Sequence, residues 1–147
     1  AGISLLANRH QLVKICGRNV VLVGVGDPSC GYDDLQAALA DAPRGDLHIL
    51  LSHSPDIFDD PLAEWADLIL CGHTHGGQLR LPVIGTPWAP VWRRRDRASG
   101  LMRLSNDTVA YVNRGVGSGT RARLNCPPEV AMLELATGFD EGLSVVK

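Results

Sequence analysis

The apolar positions of the chain come in short runs separated by glycine, proline and acidic residues, a pattern that predicts an α/β alternation without an internal repeat. Residues 11–16 and 19–24 read as two strands joined at Gly17-Arg18. The second of them carries Val20, Val21, Leu22 and Val23 as one continuous apolar run. Residues 33–40 read as a helix start, with Asp33 and Asp34 at its positive end and Pro43 and Gly45 closing it. Residues 47–52 form the next strand. A short helix with Pro61 in its first turn covers residues 61–66, and residues 68–71 read as a short buried strand. Residues 78–81, 101–104, 109–113 and 130–135 are short and strand-like.

Two of these apolar runs end in histidine, and there the chain carries its chemistry. One run exits through Ser52-His53-Ser54-Pro55-Asp56, the other through Gly72-His73-Thr74-His75-Gly76-Gly77-Gln78. In an extended chain, residues two apart share a face, so His73 and His75 would point the same way with Cα atoms roughly 6.5 to 7 Å apart. The flanking glycines allow a tight turn and close approach to a ligand. Ligands of open α/β sheets collect at the carboxyl ends of parallel strands, which is where His53, His73 and His75 would meet if their strands are neighbours. A single histidine in such a place is commonly a satisfied core or turn residue; a framed pair favours metal. Asp27 and Asp56 each neighbour a proline and read as turn aspartates. Arg114, in Asn113-Arg114-Gly115 at a strand exit, is a candidate substrate-binding residue, because a guanidinium suits phosphate. His10 and His48 lack any such frame and are assigned to the surface or a strand face.

Taken together, residues 49–56 and 72–78, with Gly24-Val25-Gly26-Asp27, residues 111–117 and residues 123–130, resemble the second half of a calcineurin-like metallophosphoesterase. They are most similar to the bacterial branch with the Gly-His-Thr-His-Gly-Gly-Gln form of the motif, which includes phosphatases of lipid and cell-envelope substrates. The resemblance runs from about residue 2 to residue 135. It implies a phosphoester hydrolase with two divalent metal ions (Mn, Zn, Fe or Ni), built on a four-layer α/β/β/α sandwich of mixed sheets. By motif position His53 and His73 would ligate one ion and His75 the other. The family's metal-ligating Asp-x-His, its Gly-Asp whose aspartate bridges the two ions and its Gly-Asn-His-Asp/Glu lie outside the segments that carry the resemblance, and no counterpart of them is identified in this sequence. The chain is therefore expected to be the C-terminal portion of the domain, truncated before those motifs and inactive alone.

Two ions acting together polarise a phosphoryl oxygen and lower the pKa of a water so that it attacks near neutral pH. Three neutral imidazoles lack the anionic charge that such a centre needs, though they suffice for one Zn²⁺, Ni²⁺ or Cu²⁺; Mg²⁺ without carboxylates would bind poorly. The alternative function is a non-catalytic metal-binding or scaffold module of the same fold.

Composition narrows the partners. At 147 residues and 45% apolar content the chain is long enough for one domain with a real core, taken as residues 1–147. A net charge of -2 argues against nucleic acid as a partner. The expected partner is a phosphoester substrate, lipid and cell-envelope compounds among them. Trp88, Trp92, Arg93, Arg94, Arg95 and Arg97 share a Pro-rich loop, which reads first as a solvated loop covering the core. Its other reading, a face for an anionic substrate or membrane, makes peripheral membrane association compatible with the sequence. Cys16, Cys30, Cys71 and Cys126 form no Cys-x-x-Cys pair and read as buried or free thiols. The chain has no initiating Met and no signal peptide or run of 18 apolar residues, and the expected setting is cytoplasmic or membrane-associated in a bacterium.

Overall fold

Strand β1 (Arg9–Ile15) turns back into β2 (Arg18–Gly24) through Cys16 and Gly17, both with positive φ, 49° and 79°. A two-residue hairpin of this type needs left-handed backbone at both central positions, and its twist matches that of the strands it joins. The turn thus lies one residue earlier than the expected Gly17-Arg18, with Ile15 paired to Arg18. The computed structural model describes residues 2–91, 97–104, 108–117 and 122–135, and the backbone of 145–146. Of the tryptophan and arginine loop, Trp92, Arg93, Arg94 and Arg95 lie outside the described residues.

The chain continues through β3 (Leu47–Leu51), β4 (Leu68–Cys71), β5 (Gly100–Arg103) and β6 (Val109–Val112). These assemble in the order β1-β2-β3-β4-β6-β5. The four central strands β2, β3, β4 and β6 are parallel, and the edges β1 and β5 are antiparallel to their neighbours. The mixed α/β class expected from the sequence is therefore present, and the strands that carry the histidines are adjacent.

Strand alternation sorts the apolar runs onto two faces. Val21, Val23, Leu50, Ile69, Ala110 and Val112 point to one side, where Leu35, Ala38, Ile57 and Ala63 pack on them. Those four come from the helix α1 (Leu35–Leu39) and from the 3₁₀ turns Pro55–Asp59 and Pro61–Trp65. Val20, Ile49, Leu68 and Val109 form a second cluster on the other side, made of strand residues alone, with Leu22, Leu51 and Leu70 half-buried around it.

The helices are shorter than the sequence suggests. Asp34 caps α1 by accepting from the Ala37 amide at 2.8 Å, and the helix ends within five residues. Residues 78–81 were expected to form a strand, but only isolated bridges occur there, Leu79 to Leu124 and Leu81 to Gly85. The motif upstream ends in turns that leave no straight chain to pair. Near the other end, β7 (Met132–Leu133) pairs with β8 (Val145–Val146) as a separate two-stranded sheet. Among the described residues no helix is long and apolar enough to cross a membrane.

Ile69 is fully buried at the centre of the helix-covered face. Ile69→Ala is expected to cost about 2–5 kcal/mol through lost transfer energy and the cavity left behind, measured as a lower urea midpoint with unchanged slope.

Candidate metal centre

Backbone pairing continues past the strand ends and sets the site. The Ser52 amide donates to Leu70 O at 3.0 Å and the Gly72 amide donates to His53 O at 3.1 Å, so the β3–β4 ladder runs on into both histidine segments. On the flanking strands the Val25 amide donates to Leu51 O at 3.2 Å and the Asn113 amide to Cys71 O at 2.8 Å. His53, His73, Asp27 and Asn113 are thereby delivered to one carboxyl edge, the place ligands occupy in such sheets.

There His73 Nδ1 and His53 Nε2 stand 2.8 Å apart, with ring centroids at 4.6 Å and an edge-on angle of 62°. One nitrogen donates to the other. Two imidazoles bound to a common ion at about 2.0–2.1 Å would hold their nitrogens roughly 2.9–3.4 Å apart, so the pair needs only small adjustment to take one ion in place of its shared proton. Asp27 Oδ2 lies 3.9 Å from His53 Nε2. Burial pushes the Asp27 carboxyl up, but donation from the Ser29 hydroxyl and amide, with His53 and His73 nearby, holds it net below the ordinary value. The sequence assigned Asp27 to a turn. It does cap the 3₁₀ turn Pro28–Cys30, and it also puts a carboxylate beside the pair.

The extended-chain argument for His73 and His75 does not hold. β4 ends at Cys71, and His73 and His75 adopt φ of 67° and 49°, the left-handed region that L side chains seldom enter. Strand alternation therefore does not aim the two rings. His75 instead places Nδ1 3.0 Å from Gly117 O. A carbonyl only accepts, so Nδ1 is the donor here, and in the neutral ring Nε2 then keeps its lone pair, the arrangement found in histidines that bind metal through one nitrogen and are oriented through the other. Among the described residues, no group of three or more His, Cys, Asp or Glu side chains gathers as a ready cation site. His53 and His73 are brought together; His75 is oriented separately.

What holds this loop was not visible in the pattern. Thr74, buried between the two histidines, donates to Ala98 O at 2.5 Å and accepts from the Gly76 amide at 3.1 Å. Gly76 and Gly77 have φ of 64° and 74°. A Cβ on Gly76 would meet Cys126 Sγ at 2.6 Å and Arg114 Cγ at 2.7 Å, and one on Gly77 would meet Thr86 Cγ2 at 2.0 Å. The Gly-Gly step is a packing requirement as well as a conformational one.

Arg114 lies under this loop. Its guanidinium pairs with Glu129, Nε at 2.6 Å, and Glu129 also accepts from the Tyr111 hydroxyl. Burial and the Glu129 carboxylate raise the Tyr111 phenol to about 12; the same contacts outweigh burial at Glu129 and lower its carboxyl. Any phosphate reaching Arg114 would compete with Glu129. A cavity of about 340 Å³ lined by Arg80, Leu101, Tyr111, Arg114 and Glu129 adjoins it. Asp56 and Ser54 cap each other locally. His48 donates to Asp67 at 3.0 Å and His10 Nδ1 lies 2.9 Å from Ala38 O, in line with structural roles.

Fold and site together define an α/β domain that collects imidazoles at the carboxyl ends of parallel strands. The chain is 44% identical over 136 residues to the phosphodiesterase YaeI of Escherichia coli, covering 92% of this chain and 48% of that protein. It is 30% identical over 137 residues to the metallophosphoesterase YkuE of Bacillus subtilis (91% and 47%). It is also 30% identical over 131 residues to the UDP-2,3-diacylglucosamine pyrophosphatase LpxG of Chlamydia trachomatis (84% and 40%). The chain belongs to the calcineurin-like metallophosphoesterase family, and it spans about half the length of the relatives it matches. No family model and no solved structure matches it.

Two outcomes follow for the loop. Thr74→Val removes a buried donor and acceptor and should cost about 1–3 kcal/mol, read as a lower melting temperature. For the network, a lowered Glu129 carboxyl stabilises the fold above its unfolded value of 4.5 and loses that contribution as pH falls through the lower folded value. Glu129→Gln should therefore flatten the acid limb of a stability–pH curve.

Proposed function

We propose that this chain supplies the histidine side of a dinuclear phosphoester hydrolase centre, His53 and His73 holding one divalent ion and His75 the second. The observation that carries this reading is the 2.8 Å approach of His73 Nδ1 to His53 Nε2 at the carboxyl edge of the parallel strands. The Nδ1–H state of His75, which leaves Nε2 free, supports the second half of it. Family membership supports the reaction class.

Ions bound there would supply Lewis-acid polarisation of a phosphoryl oxygen and an acidified water. The protein's own part is positional. The β3–β4 ladder sets the spacing of His53 and His73, Gly117 fixes the His75 ring, and Asp27 adds negative charge beside the first pair. Nitrogen donors favour Mn, Zn, Fe or Ni over Mg.

Balancing two divalent ions requires further anionic ligands, which in this reading come from the rest of the metallophosphoesterase domain. That domain would be a four-layer sandwich whose second sheet covers the strand-only cluster of Val20, Ile49, Leu68 and Val109. This chain alone should then be inactive. LpxG, by its name, acts on a diacylated sugar nucleotide; a phosphoester of a lipid or cell-envelope compound is the substrate class proposed here, with Arg114 reachable by its phosphate only if Glu129 yields.

Zinc binding measured by calorimetry should be present in the chain and lost in His53→Ala and His73→Ala. Hydrolysis of bis-p-nitrophenyl phosphate with Mn²⁺ should be absent for the chain alone and present once it is joined to a segment carrying the family's further metal-binding motifs, where His75→Ala lowers kcat by orders of magnitude. Absence of both metal binding and hydrolysis in the joined protein would sink the proposal.

A further inference from the structure

We propose that Arg123 is a positioning residue for His75, acting through the carbonyl of Gly117; the inference rests on the two-ion reading above and adds to it the device that readies the second ligand.

Arg123 has its guanidinium set in a cradle of backbone oxygens. Its Nη2 donates to Gly117 O at 2.5 Å, Arg114 O at 3.1 Å and Gly115 O at 3.3 Å, and Nη1 donates to Cys126 O at 3.3 Å. Three of these oxygens belong to the segment that leaves β6. The shortest contact falls on the carbonyl that also accepts from His75 Nδ1. A carbonyl has two lone pairs; here Arg123 takes one and His75 the other.

The need for such a grip follows from the chain. Gly115 and Gly117 leave this segment without the β-carbons that restrict backbone rotation, and Gly115 sits at φ 63°. Local bonds steady its beginning: the Gly115 amide donates to Asn113 Oδ1 at 2.6 Å, and the Glu129 amide donates to Gly115 O at 3.0 Å. Two residues further on, the direction of the Gly117 carbonyl depends on the guanidinium. A planar fork with five N–H donors can span several carbonyls at once, which a single ammonium cannot.

If that carbonyl swings away, His75 loses the acceptor that keeps its proton on Nδ1. The neutral ring then shares its proton between both nitrogens, and Nε2 is no longer a committed lone pair. Arg123 touches neither ion nor substrate in this scheme. Its effect on the site passes through one backbone oxygen.

The test reads histidine tautomers directly, by ¹⁵N NMR of the full chain without added metal, followed by zinc titration. The wild type should show His75 with Nδ1 protonated and Nε2 bare. Arg123→Met keeps the aliphatic stem and removes every donor. It should give His75 signals averaged between tautomers and a His75 zinc response displaced to roughly 10- to 100-fold higher zinc. His10 and His48 report an intact fold by not moving, and the zinc response of His53 and His73 should not change. Should Arg123→Met fail to fold, Arg123→Gln, whose amide is too short to span the cradle, is read by the same signals with the same expectation. A His75 that stays Nδ1-protonated with an unaltered zinc response in a folded variant overturns the inference. A wild-type His75 that is Nδ1-protonated but ignores zinc tells against the two-ion reading, while a tautomer change in the variant still upholds the role of Arg123.

Discussion

The structure depends on one constraint: the chain leaving β4 must turn through left-handed backbone at residues that carry side chains. His73, His75 and Gln78 all have positive φ, at 67°, 49° and 56°. Each such residue costs on the order of 1–3 kcal/mol and persists only where its surroundings over-determine it. The surroundings here are identifiable. Gly76 and Gly77 take the sharpest turns at no steric cost, Thr74 anchors the loop to Ala98, and the Gly72 amide ties it to His53. Strain placed at a loop that carries two histidines is a common mark of a functional site, because it aims side chains in directions regular structure cannot.

A second layer supports this loop from beneath. Arg114, Glu129 and Tyr111 form a largely buried charged network, and the Arg114 stem lies where a Cβ on Gly76 would go. Cys126 donates to His75 O at 3.3 Å and Gly76 O at 3.5 Å from the same side. Removing one partner of a buried ion pair leaves an uncompensated charge, so the network resists piecemeal change. The segment 123–129 therefore does two things: it closes the packing under the glycines and it carries the guanidinium that grips the loop after β6.

The legible part of the sequence was what periodicity and punctuation encode. Val20 to Val23, residues 49–51 and residues 68–71 are apolar throughout because these central parallel strands bury residues on both faces, one under α1 and the 3₁₀ turns and the other in the strand-only cluster, and the histidines at two strand exits pointed to the carboxyl edge. Less legible was anything decided by a dihedral sign. Nothing in the spacing of His73 and His75 distinguishes an extended chain from two left-handed residues, so the shared-face argument failed at the motif itself. Asp27 was read correctly as a turn former but not as a neighbour of His53, because that contact spans strands β2 and β3. Thr74 and Arg123 lie in stretches that carry the resemblance but gave no local signal of their roles; their partners, Ala98 O and Gly117 O, are backbone atoms brought in by tertiary folding. The glycine frame was the one hint, since Gly76-Gly77 after a histidine announces a close-packed turn.

The donor types explain how the work is divided on the proposed reading. Within this chain the proposed ligands are imidazoles, neutral donors that would select borderline cations but contribute no charge. Asp27, a carboxylate held below its ordinary pKa beside the His53–His73 pair, has Oδ2 at 3.9 Å from His53 Nε2. Its negative charge would lower the electrostatic cost of bringing a cation to the edge. On that reading the site is oriented before it is charged: His53 and His73 stand together and the His75 ring is oriented, while the negative charge that a second divalent ion needs would come from outside these residues. Assembly and metal loading then become one equilibrium, since the ion binds the folded arrangement and stabilises it in proportion to its concentration over its dissociation constant.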